Sequence, residues 1–532
     1  TYAVRLEGPF ATQPIIERTR MTLGVPITSG TSFGVYAEAP TGAADSFRLV
    51  NNVITNRGLG SMFWYGVFAI DWIPEMFHNT LVAQHTGSAR HLAVRADNGD
   101  MNGIELGNNL MVGTGALTHR AVEEIASGNS YSYTEFSGNG LFGTTDATQT
   151  AIENYNALGT VGANFVAVAD PALDANGRPQ PGTTPYRVRS GGVDFTGAVP
   201  TDYDGTTRTL GTGVTVGAVE LDDVRTLRTL IFNGTIDGLG AGIFQAQIVD
   251  DGSTIAMNPT LVRTLVDPLN DARALDYTIG ATDEIHYVDG TDIWVIDLAA
   301  GPPFTPTLRG DLTATWPNGL TLTTPNVQDI HLFFDAGNLL YEYFVADLNF
   351  GIYYVDVSTN TVVDLMSYAG IDGTAVISDT IPTNMWFANS SNGSLARASA
   401  TVNTAFGAED QIEVATGEVI NDIGFDSVDT FWLAIETTNQ ADGYIAVDRD
   451  ASGPGDRQVI IDQGDINGEP DSIFYDVGLD LVFWTEIGTF YDTNIRMAFG
   501  DGHVIGAGFP TLISGGSGAG QLTDGGNLAV KP

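Results

Sequence analysis

The chain of 532 residues contains no cysteine. A disulfide framework, a thiolate metal site and a cysteine nucleophile are therefore all excluded. Lysine is nearly absent too, since Lys531 is the one lysine and arginine supplies the other basic residues. A GC-rich coding genome explains this bias. Adaptation to high salt is the alternative, although a charged fraction of 16% is low for a halophilic protein.

Positive charge is scarce overall. The 64 acidic residues outnumber the 22 basic ones, which gives a formal net charge of −42. A phosphate backbone would be repelled over nearly the whole surface, so the composition argues against nucleic-acid binding.

Long uncharged hydrophobic runs are also missing. The most apolar stretch, residues 62–77, is interrupted by Asp71, Pro74 and Glu75, whereas a membrane helix needs about 18 or more uncharged residues. The sequence therefore predicts no membrane insertion. No basic region with an apolar run follows Thr1. Either a signal was cleaved before this residue, or an initiator Met was removed, as would suit a virion component.

What the chain does contain is apolar residues and turns: 43% hydrophobic residues with 64 glycines and 22 prolines, typical of a turn-rich globular protein. Its C-terminal part is repetitive. A short apolar strand recurs at intervals of about 44 to 55 residues. The six copies are Leu230-Ile231-Phe232, Ile285-His286-Tyr287, Leu340-Tyr341-Glu342-Tyr343, Met385-Trp386-Phe387, Phe431-Trp432-Leu433 and Val482-Phe483-Trp484.

After each copy comes a turn and a second alternating strand, for example Asp292-Ile293-Trp294-Val295-Ile296-Asp297. Units of this length with several short strands are typical of four-stranded propeller blades, which pack face to face around a ring. We therefore predict a mainly β fold with a C-terminal β-propeller, most simply of six blades, over residues 219–532. Another all-β arrangement with similar spacing, such as a string of sandwiches, is the alternative. The segment Gly526-Asn527-Leu528-Ala529-Val530 could supply a closing strand or form a loose terminus.

The sixth unit carries a more specific pattern. Its tetrapeptide Phe483-Trp484-Thr485-Glu486 resembles the name-giving motif of the Tyr-Trp-Thr-Asp propellers of the low-density-lipoprotein receptor type. The resemblance covers roughly residues 220–532 and implies a six-bladed propeller. The other units depart widely from the motif, so the resemblance implies nothing about ligands.

Residues 1–170 lack the C-terminal period and are predicted to form a separate, mainly β domain for docking or assembly. Strand patterns such as Phe33-Gly34-Val35-Tyr36-Ala37 occur there, and the best helical signals are residues 121–125 and 146–156. Residues 171–218 are rich in Gly, Pro, Thr and Asp, a composition that predicts an extended linker or arm.

One loop has the pattern of a cation site. Asp448-Arg449-Asp450-Ala451-Ser452-Gly453-Pro454-Gly455-Asp456 offers oxygen donors from Asp448, Asp450, Ser452 and Asp456, with a glycine where the loop must turn sharply. Structural calcium is the natural occupant. The alternative is an ordinary polar hairpin turn, which the same residue types favour.

Catalytic motifs do not stand out. His78, His85 and His91 lie close together, but their spacing fits no zinc signature and favours structural roles. There is no nucleophile elbow and no phosphate-binding loop with its lysine. Paired carboxylates for glycoside hydrolysis stay open, because sequence does not report their separation.

Two functions are consistent with these patterns. The first is a non-enzymatic structural or attachment protein of a particle or surface assembly, most simply a bacteriophage tail, fibre or decoration protein in the virion. Its partners would be other copies of itself, other assembly proteins, and a glycan or protein receptor on a host cell. The second is a secreted propeller, either a lectin or adhesin or a glycoside-active enzyme.

Overall fold

The computed structural model describes most of the chain in numbered ranges. These are residues 2–23, 30–39, 45–57, 63–84, 87–114, 119–125, 128–145, 164–167, 169–208, 210, 213–221, 223–257, 263–266, 272–278, 283–313, 322–335, 340–356, 361–366, 373–378, 384–389, 394–399, 409–414, 417–425, 430–437, 443–448, 457–462, 464–466, 468–488, 493–505, 508–516, 521–523 and 526–531. The fold is nearly all β, as predicted, and comprises an N-terminal solenoid and a C-terminal propeller.

The N-terminal part is a parallel β-solenoid, in which successive coils each add one strand to three sheets. Sheet 1 contains β1 (Tyr2–Glu7), β4 (Thr31–Glu38), β7 (Phe63–Ile70), β10 (Ser88–Arg95) and β13 (His119–Ile125). Sheet 2 contains β2 (Ile15–Glu17), β5 (Asp45–Val50), β8 (Trp72–Phe77), β11 (Met101–Gly107) and β14 (Tyr131–Ser137). Sheet 3 contains β3 (Arg20–Leu23), β6 (Val53–Asn56), β9 (Thr80–Gln84), β12 (Leu110–Thr114), β15 (Gly140–Phe142) and β16 (Phe165–Val166).

The solenoid core is filled by the inward side chains of all three sheets. Trp64, Trp72, Phe47 and Leu92 are fully buried there. Residues 121–125, for which the sequence suggested a helical turn, form strand β13, because pairing with β10 outweighs the weak local helical signal. The second helical candidate, residues 146–156, lies outside the described residues.

A ladder of buried asparagines runs along the corner between sheets 2 and 3. It consists of Asn52, Asn79, Asn109, Asn139 and Asn164. Each side chain bonds the next: the Asn79 Nδ2 donates to Asn109 Oδ1 at 2.9 Å, and Asn109 Nδ2 donates to Asn139 Oδ1 at 3.0 Å. The ladder satisfies polar backbone groups that bend into the core, which would otherwise be costly.

The residue just before each of the first four ladder positions has a left-handed backbone. Asn51, His78 and Asn108 have φ of 55°, 53° and 52°, and Gly138 has 66°. Asparagine and glycine tolerate this region best. The left-handed residue that precedes each of these four asparagines is therefore part of the corner geometry of the coil.

The C-terminal part is a six-bladed β-propeller. Blade 1 contains β17 (Arg225–Ile236), β18 (Gly240–Asp250), β19 (Ile255–Met257), β20 (Arg263–Val266), β41 (Leu522–Thr523) and β42 (Leu528–Lys531). Blade 2 contains β21 (Ala272–Thr278), β22 (Glu284–Asp289), β23 (Asp292–Asp297) and β24 (Thr307–Asp311). Blade 3 contains β25 (Val327–Asp335), β26 (Leu340–Asp347), β27 (Gly351–Asp356) and β28 (Thr361–Met366).

The remaining blades follow the same antiparallel order. Blade 4 contains β29 (Gly373–Ser378), β30 (Asn384–Asn389), β31 (Ser394–Ser399) and β32 (Glu409–Val414). Blade 5 contains β33 (Glu418–Phe425), β34 (Phe431–Thr437), β35 (Gly443–Asp448) and β36 (Gln458–Ile461). Blade 6 contains β37 (Glu469–Asp476), β38 (Leu481–Ile487), β39 (Thr493–Phe499) and β40 (Thr511–Ile513).

The ring is closed by strands from both ends of the propeller sequence. Strand β42 pairs with β17 through Leu528 to Phe232 and Val530 to Leu230, so residues 526–530 contain the closing strand. The first strand of each blade, with β42 in blade 1, packs against its neighbours around the axis. We call these six strands, β42, β21, β25, β29, β33 and β37, the inner strands.

The six apolar segments predicted from the repeat form the strand next to the inner strand in each blade. They lie in β17, β22, β26, β30, β34 and β38. Trp386, Trp432 and Trp484 are buried among the blades, which agrees with core packing. The tetrapeptide Phe483 to Glu486 is wholly buried in β38, where the Thr485 Oγ1 accepts a hydrogen bond from the Ser472 N–H at 2.9 Å.

Candidate functional site

The inner strands carry three aspartates that join neighbouring blades. The backbone N–H of Leu332 donates to Asp276 Oδ2 at 2.7 Å. In the same way, the N–H of Val376 donates to Asp329 at 2.9 Å and that of Ile473 donates to Asp422 at 2.7 Å. Each carboxylate therefore bonds the inner strand of the next blade, which fixes the ring at its centre.

These carboxylates also influence one another. Burial raises the pKa of Asp329 well above its usual range, and the negative charge of Asp422 adds to the effect. Asp329 and Asp422 belong to blades 3 and 5, which lie on either side of blade 4 in the ring. Burial also raises the pKa of Asp422. For Asp276 burial acts in the same direction, but His331, whose Nδ1 lies 3.4 Å from Asp276 Oδ2, outweighs it and lowers the pKa.

The inner strands thus hold carboxyl groups of unlike proton affinity close together. Such an arrangement suits either acid and base chemistry or the binding of a small ligand at the axis. Sequence reasoning missed this set, because three aspartates among 64 carboxylates carry no local signal.

We expect replacement of Asp329 by Asn to increase stability more at about pH 8 than at about pH 5. A carboxyl group whose folded pKa is raised binds more protons when folded, so its presence costs stability increasingly as pH rises above the unfolded pKa. Urea unfolding at both pH values measures the difference.

The matched control is Asp251→Asn. Asp251 is exposed, and hydrogen bonds from Thr254 and Ser253 lower its pKa to about 2. Its stabilising contribution is lost only as pH falls through that value, so its replacement should cost the same at both pH values. If the stability change caused by Asp329→Asn were as independent of pH as that caused by Asp251→Asn, the raised pKa of Asp329 would be contradicted.

Three buried arginines hold the segment between the two domains, which we call the connector (residues 169–223). Arg187 and Arg189 lie on its short helix α1 (Tyr186–Ser190), and Arg208 follows. Each of the three is at most 2% exposed. A buried guanidinium requires a carboxylate partner and further hydrogen bonds, so these residues fix the connector's position.

Two of these arginines bind the propeller. Arg189 Nη1 lies 2.5 Å from Asp250 Oδ2 in blade 1, where the Tyr186 hydroxyl also donates at 2.8 Å. Arg187 Nη2 lies 2.8 Å from Asp501 Oδ2, and its guanidinium stands 3.9 Å from the Phe499 ring centre.

The third arginine binds the solenoid. Arg208 Nη1 lies 2.5 Å from Glu220 Oε2, and its Nη2 donates to Asn51 Oδ1 at 3.0 Å. The N–H of Ala218 donates to Thr80 Oγ1 at 3.0 Å. The segment predicted as a linker or arm therefore has a packed structure with contacts to both domains, while the boundaries 1–170, 171–218 and 219–532 stay a prediction.

We expect Arg189→Met to destabilise the protein by about 3–5 kcal/mol, because it leaves the fully buried Asp250 carboxylate without its cation. Adding Asp250→Leu should recover part of the loss. The control is Arg178→Met, which breaks an exposed pair with Asp204 in the same connector and should cost about 1 kcal/mol or less. Similar losses in thermal or denaturant unfolding for both single variants would contradict the prediction.

A cleft of about 490 Å³ opens between the connector and blades 1 and 6. Connector residues 182–186, the first residues of β17, and Gly478 with Leu479 line it. Its two arginines are already paired, Arg225 with Asp223 at 2.8 Å and Arg228 with Asp476. The cleft therefore offers little free positive charge to an anionic ligand.

Charge is distributed unevenly between the domains. Residues 1–145 contain 8 basic and 12 acidic residues, a net charge of −4, whereas residues 224–532 contain 10 and 42, a net charge of −32. Electrostatic repulsion of anions therefore arises mainly from the propeller.

The predicted cation loop is only partly placed. Asp448 is buried at the end of β35, next to Phe431 in the ladder. Asp450, Ser452 and Asp456 lie outside the described residues. Within the described part of the chain, no group of three or more His, Asp or Glu side chains is arranged to hold a metal ion.

The structure describes two of the three histidines that lie close together in the sequence. His78 and His91 are buried in the solenoid, and His85 lies outside the described residues. Both ring nitrogens of His91 lie near backbone carbonyls, those of Arg120 at 3.0 Å and Val112 at 2.9 Å. Its contacts are thus structural.

Among the described residues, no helix is long and apolar enough to span a membrane. No protein-family model matches the chain, and no curated protein matches it. Solved structures do match, over 57% of this chain.

Three of these structures are propeller-length matches of low identity. A nidogen/laminin complex is 11% identical with a TM-score of 0.40, over 98% of its chain. TolB from Acinetobacter baumannii is 14% identical with a TM-score of 0.37, over 67% of its chain, and a protein from Lactobacillus plantarum is 13% identical with a TM-score of 0.37, over 99%. At this similarity the propeller assignment depends on the strand topology described above, and we conclude that the chain joins a six-bladed propeller to a β-solenoid.

Proposed function

We propose that the protein is a non-enzymatic structural and attachment component of a particle or surface assembly, in which the solenoid is a rigid support and the propeller is displayed outward. A bacteriophage virion protein is the simplest case, and a virion or cell surface its location. The observation that carries the proposal is the connector, whose buried arginines bond to Asp250 and Asp501 of the propeller and to Asn51 of the solenoid.

The geometry of the solenoid and that of the propeller both suit the display of a binding domain on a support. A solenoid coil contacts only its neighbours, so its length and direction are set by the number of coils. A propeller presents loops from all blades at its two ends, where binding sites commonly lie. The acidic propeller would keep displayed copies apart on a crowded surface.

The experiment is immunogold electron microscopy of particles and surface layers isolated from the source, with mass photometry of the unbound fraction. The proposal expects gold at regular positions and a fixed copy number per particle. A free, monodisperse protein with no particle label would overturn it.

A second function is favoured by the carboxyl groups of the inner strands. A carboxyl group of raised pKa, as in Asp329, close to a second carboxyl is typical of glycoside-active enzymes and of lectins that bind through acidic side chains. A glycan array and a hydrolase screen test this alternative. Activity or binding that Asp422→Asn removes would favour it.

We also propose that the propeller is a divergent member of the Tyr-Trp-Thr-Asp type. Support comes from the burial of Trp484 and Thr485 in β38 and from the hydrogen bond between Thr485 Oγ1 and the Gly526 carbonyl at 3.3 Å. That bond joins the motif to the segment before the closing strand.

We further propose that Asp448, Asp450, Ser452 and Asp456 bind a structural calcium ion that stiffens blade 5. If so, Asp450→Ala should lower the melting temperature only when calcium is present, because a bound ion stabilises the folded state alone. Melting curves in calcium and in EDTA provide the measurement. An equal effect in both would indicate an ordinary turn.

A further inference from the structure

The outward side of sheet 1 presents a regular array of aromatic and charged residues. In-register strand pairing arranges it in three rows that run across the five coils. The first row is Tyr2, Phe33, Tyr65, Arg90 and Arg120; the second is Arg5, Tyr36, Phe68, Ala93 and Glu123; the third is Glu7, Glu38, Ile70, Arg95 and Ile125. We call this array the docking face.

These side chains form a cluster separate from the solenoid core. Phe68, Ile70 and Ala93 make up its buried centre, with Phe33, Tyr36, Tyr65 and Ile125 packed against them. The rings stack along the solenoid, as Phe33 and Tyr65 do with centres 5.4 Å apart. Tyr2 is 42% exposed at one end. Partly exposed aromatic side chains around such a centre, as in Tyr2, are typical of a contact surface.

The docking face is self-complementary in charge. A two-fold axis through Phe68, at the centre of the array, brings coil 1 of one copy opposite coil 5 of the other and the first row opposite the third. Every acidic residue of the array then meets an arginine, in addition to the arginines that Glu7 and Glu123 already contact within their own chain, Arg5 and Arg90. The pairs, each formed twice, are Arg120 with Glu7, Arg90 with Glu38, and Arg5 with Glu123 of the second copy.

The other positions match as well. The same operation places Tyr2 opposite Ile125 and Tyr65 opposite Ile70, while Phe68 meets its own equivalent. Phe33 meets Arg95, a contact of the cation–π kind that Arg5 already makes with the Tyr2 ring at 5.2 Å. The pairing pattern is that of an isologous two-fold interface.

We propose that two copies of this chain dock antiparallel through the docking face. Five strands at about 4.8 Å spacing and six residues at about 3.3 Å give an area of roughly 400–500 Å² per copy. The total is at the low end for a specific interface, so the dimer is weak. The net charge of −4 on residues 1–145, against −32 on residues 224–532, makes the solenoid the domain by which copies can approach.

The experiment is sedimentation velocity on the full chain from about 1 to about 100 µM, in about 0.15 M salt. The wild type should dimerise with a Kd on the order of 10 µM. Arg120→Glu and Glu7→Arg each place like charges opposite one another, and each should weaken self-association roughly tenfold or more. Both side chains are about half exposed, at 50%, so the fold should tolerate the changes.

The decisive sample is an equimolar mixture of the two variants. In a mixed dimer every swapped position meets its opposite charge, so dimerisation should return although neither variant dimerises alone. Thr134→Arg, on the exposed side of sheet 2, is the control and should dimerise like the wild type. A wild type that stays monomeric to about 100 µM, or a mixture that stays monomeric, would overturn the proposal. This test needs no particle, so its outcome is independent of the attachment role.

Discussion

Removal of residues 526–532 should abolish cooperative folding of the propeller. The deletion takes away β42, whose Leu528, Ala529 and Val530 are at most 5% exposed and pair with residues 229–232 of β17. Burial of the leucine and valine alone is worth about 1.5–3 kcal/mol each, and blade 1 also loses its inner strand. The total approaches the 5–15 kcal/mol of net stability typical of a domain.

Far- and near-ultraviolet circular dichroism with thermal unfolding measure the effect. We expect the aromatic signal of the propeller and its cooperative thermal transition to be lost. The control variant ends at Lys531, which retains every paired residue of β42, and it should unfold like the full chain. A deletion variant with an unchanged transition would show that the ring closes without this strand.

Replacement of Asn109 by Ala should produce the second large loss. The Asn109 side chain accepts hydrogen bonds from the Asn79 N–H at 3.1 Å and from Asn79 Nδ2, and donates to the Met76 carbonyl at 2.9 Å. Each buried group left unsatisfied costs about 1–3 kcal/mol, so we expect a loss of about 3–6 kcal/mol.

The matched control is Asn102→Ala in the same coil. Asn102 is exposed and accepts one hydrogen bond, from Ser132 Oγ at 2.8 Å, so its loss should be within about 0.5 kcal/mol. Denaturant unfolding of the solenoid signal compares the two. Equal losses would mean that the ladder contributes nothing beyond an ordinary surface asparagine.

The propeller was predictable because each blade repeats one apolar segment at a wide interval. Leu230, Phe431 and Val482 occupy the same strand of different blades, and the closing strand lay in a segment that the sequence had singled out. The chemistry of the ring centre was not predictable, since the negative charge of Asp422 acts on Asp329 only once blades 3 and 5 are arranged around a common axis.

The solenoid was predicted only as a mainly β domain. Its signal was the buried asparagine once per coil, at separations of 27, 30, 30 and 25 residues. One residue at a drifting interval is hard to recognise, because the other core positions change identity freely between Val, Leu, Ile and Ala. The composition of the connector was misleading for a different reason. Its glycines and prolines suggested flexibility, whereas the structure buries its arginines, such as Arg189, in a packed segment.

Blade 1 combines strands from both ends of the propeller sequence, which sets the order in which the two domains can fold during synthesis. Each solenoid coil pairs with the one synthesised about 30 residues earlier, so the solenoid can assemble progressively as the chain leaves the ribosome. The propeller cannot, because β17 must wait for β42, synthesised nearly 300 residues later. During translation the solenoid would therefore be folded while the propeller ring is still open, and the ring would close once β42 has been synthesised.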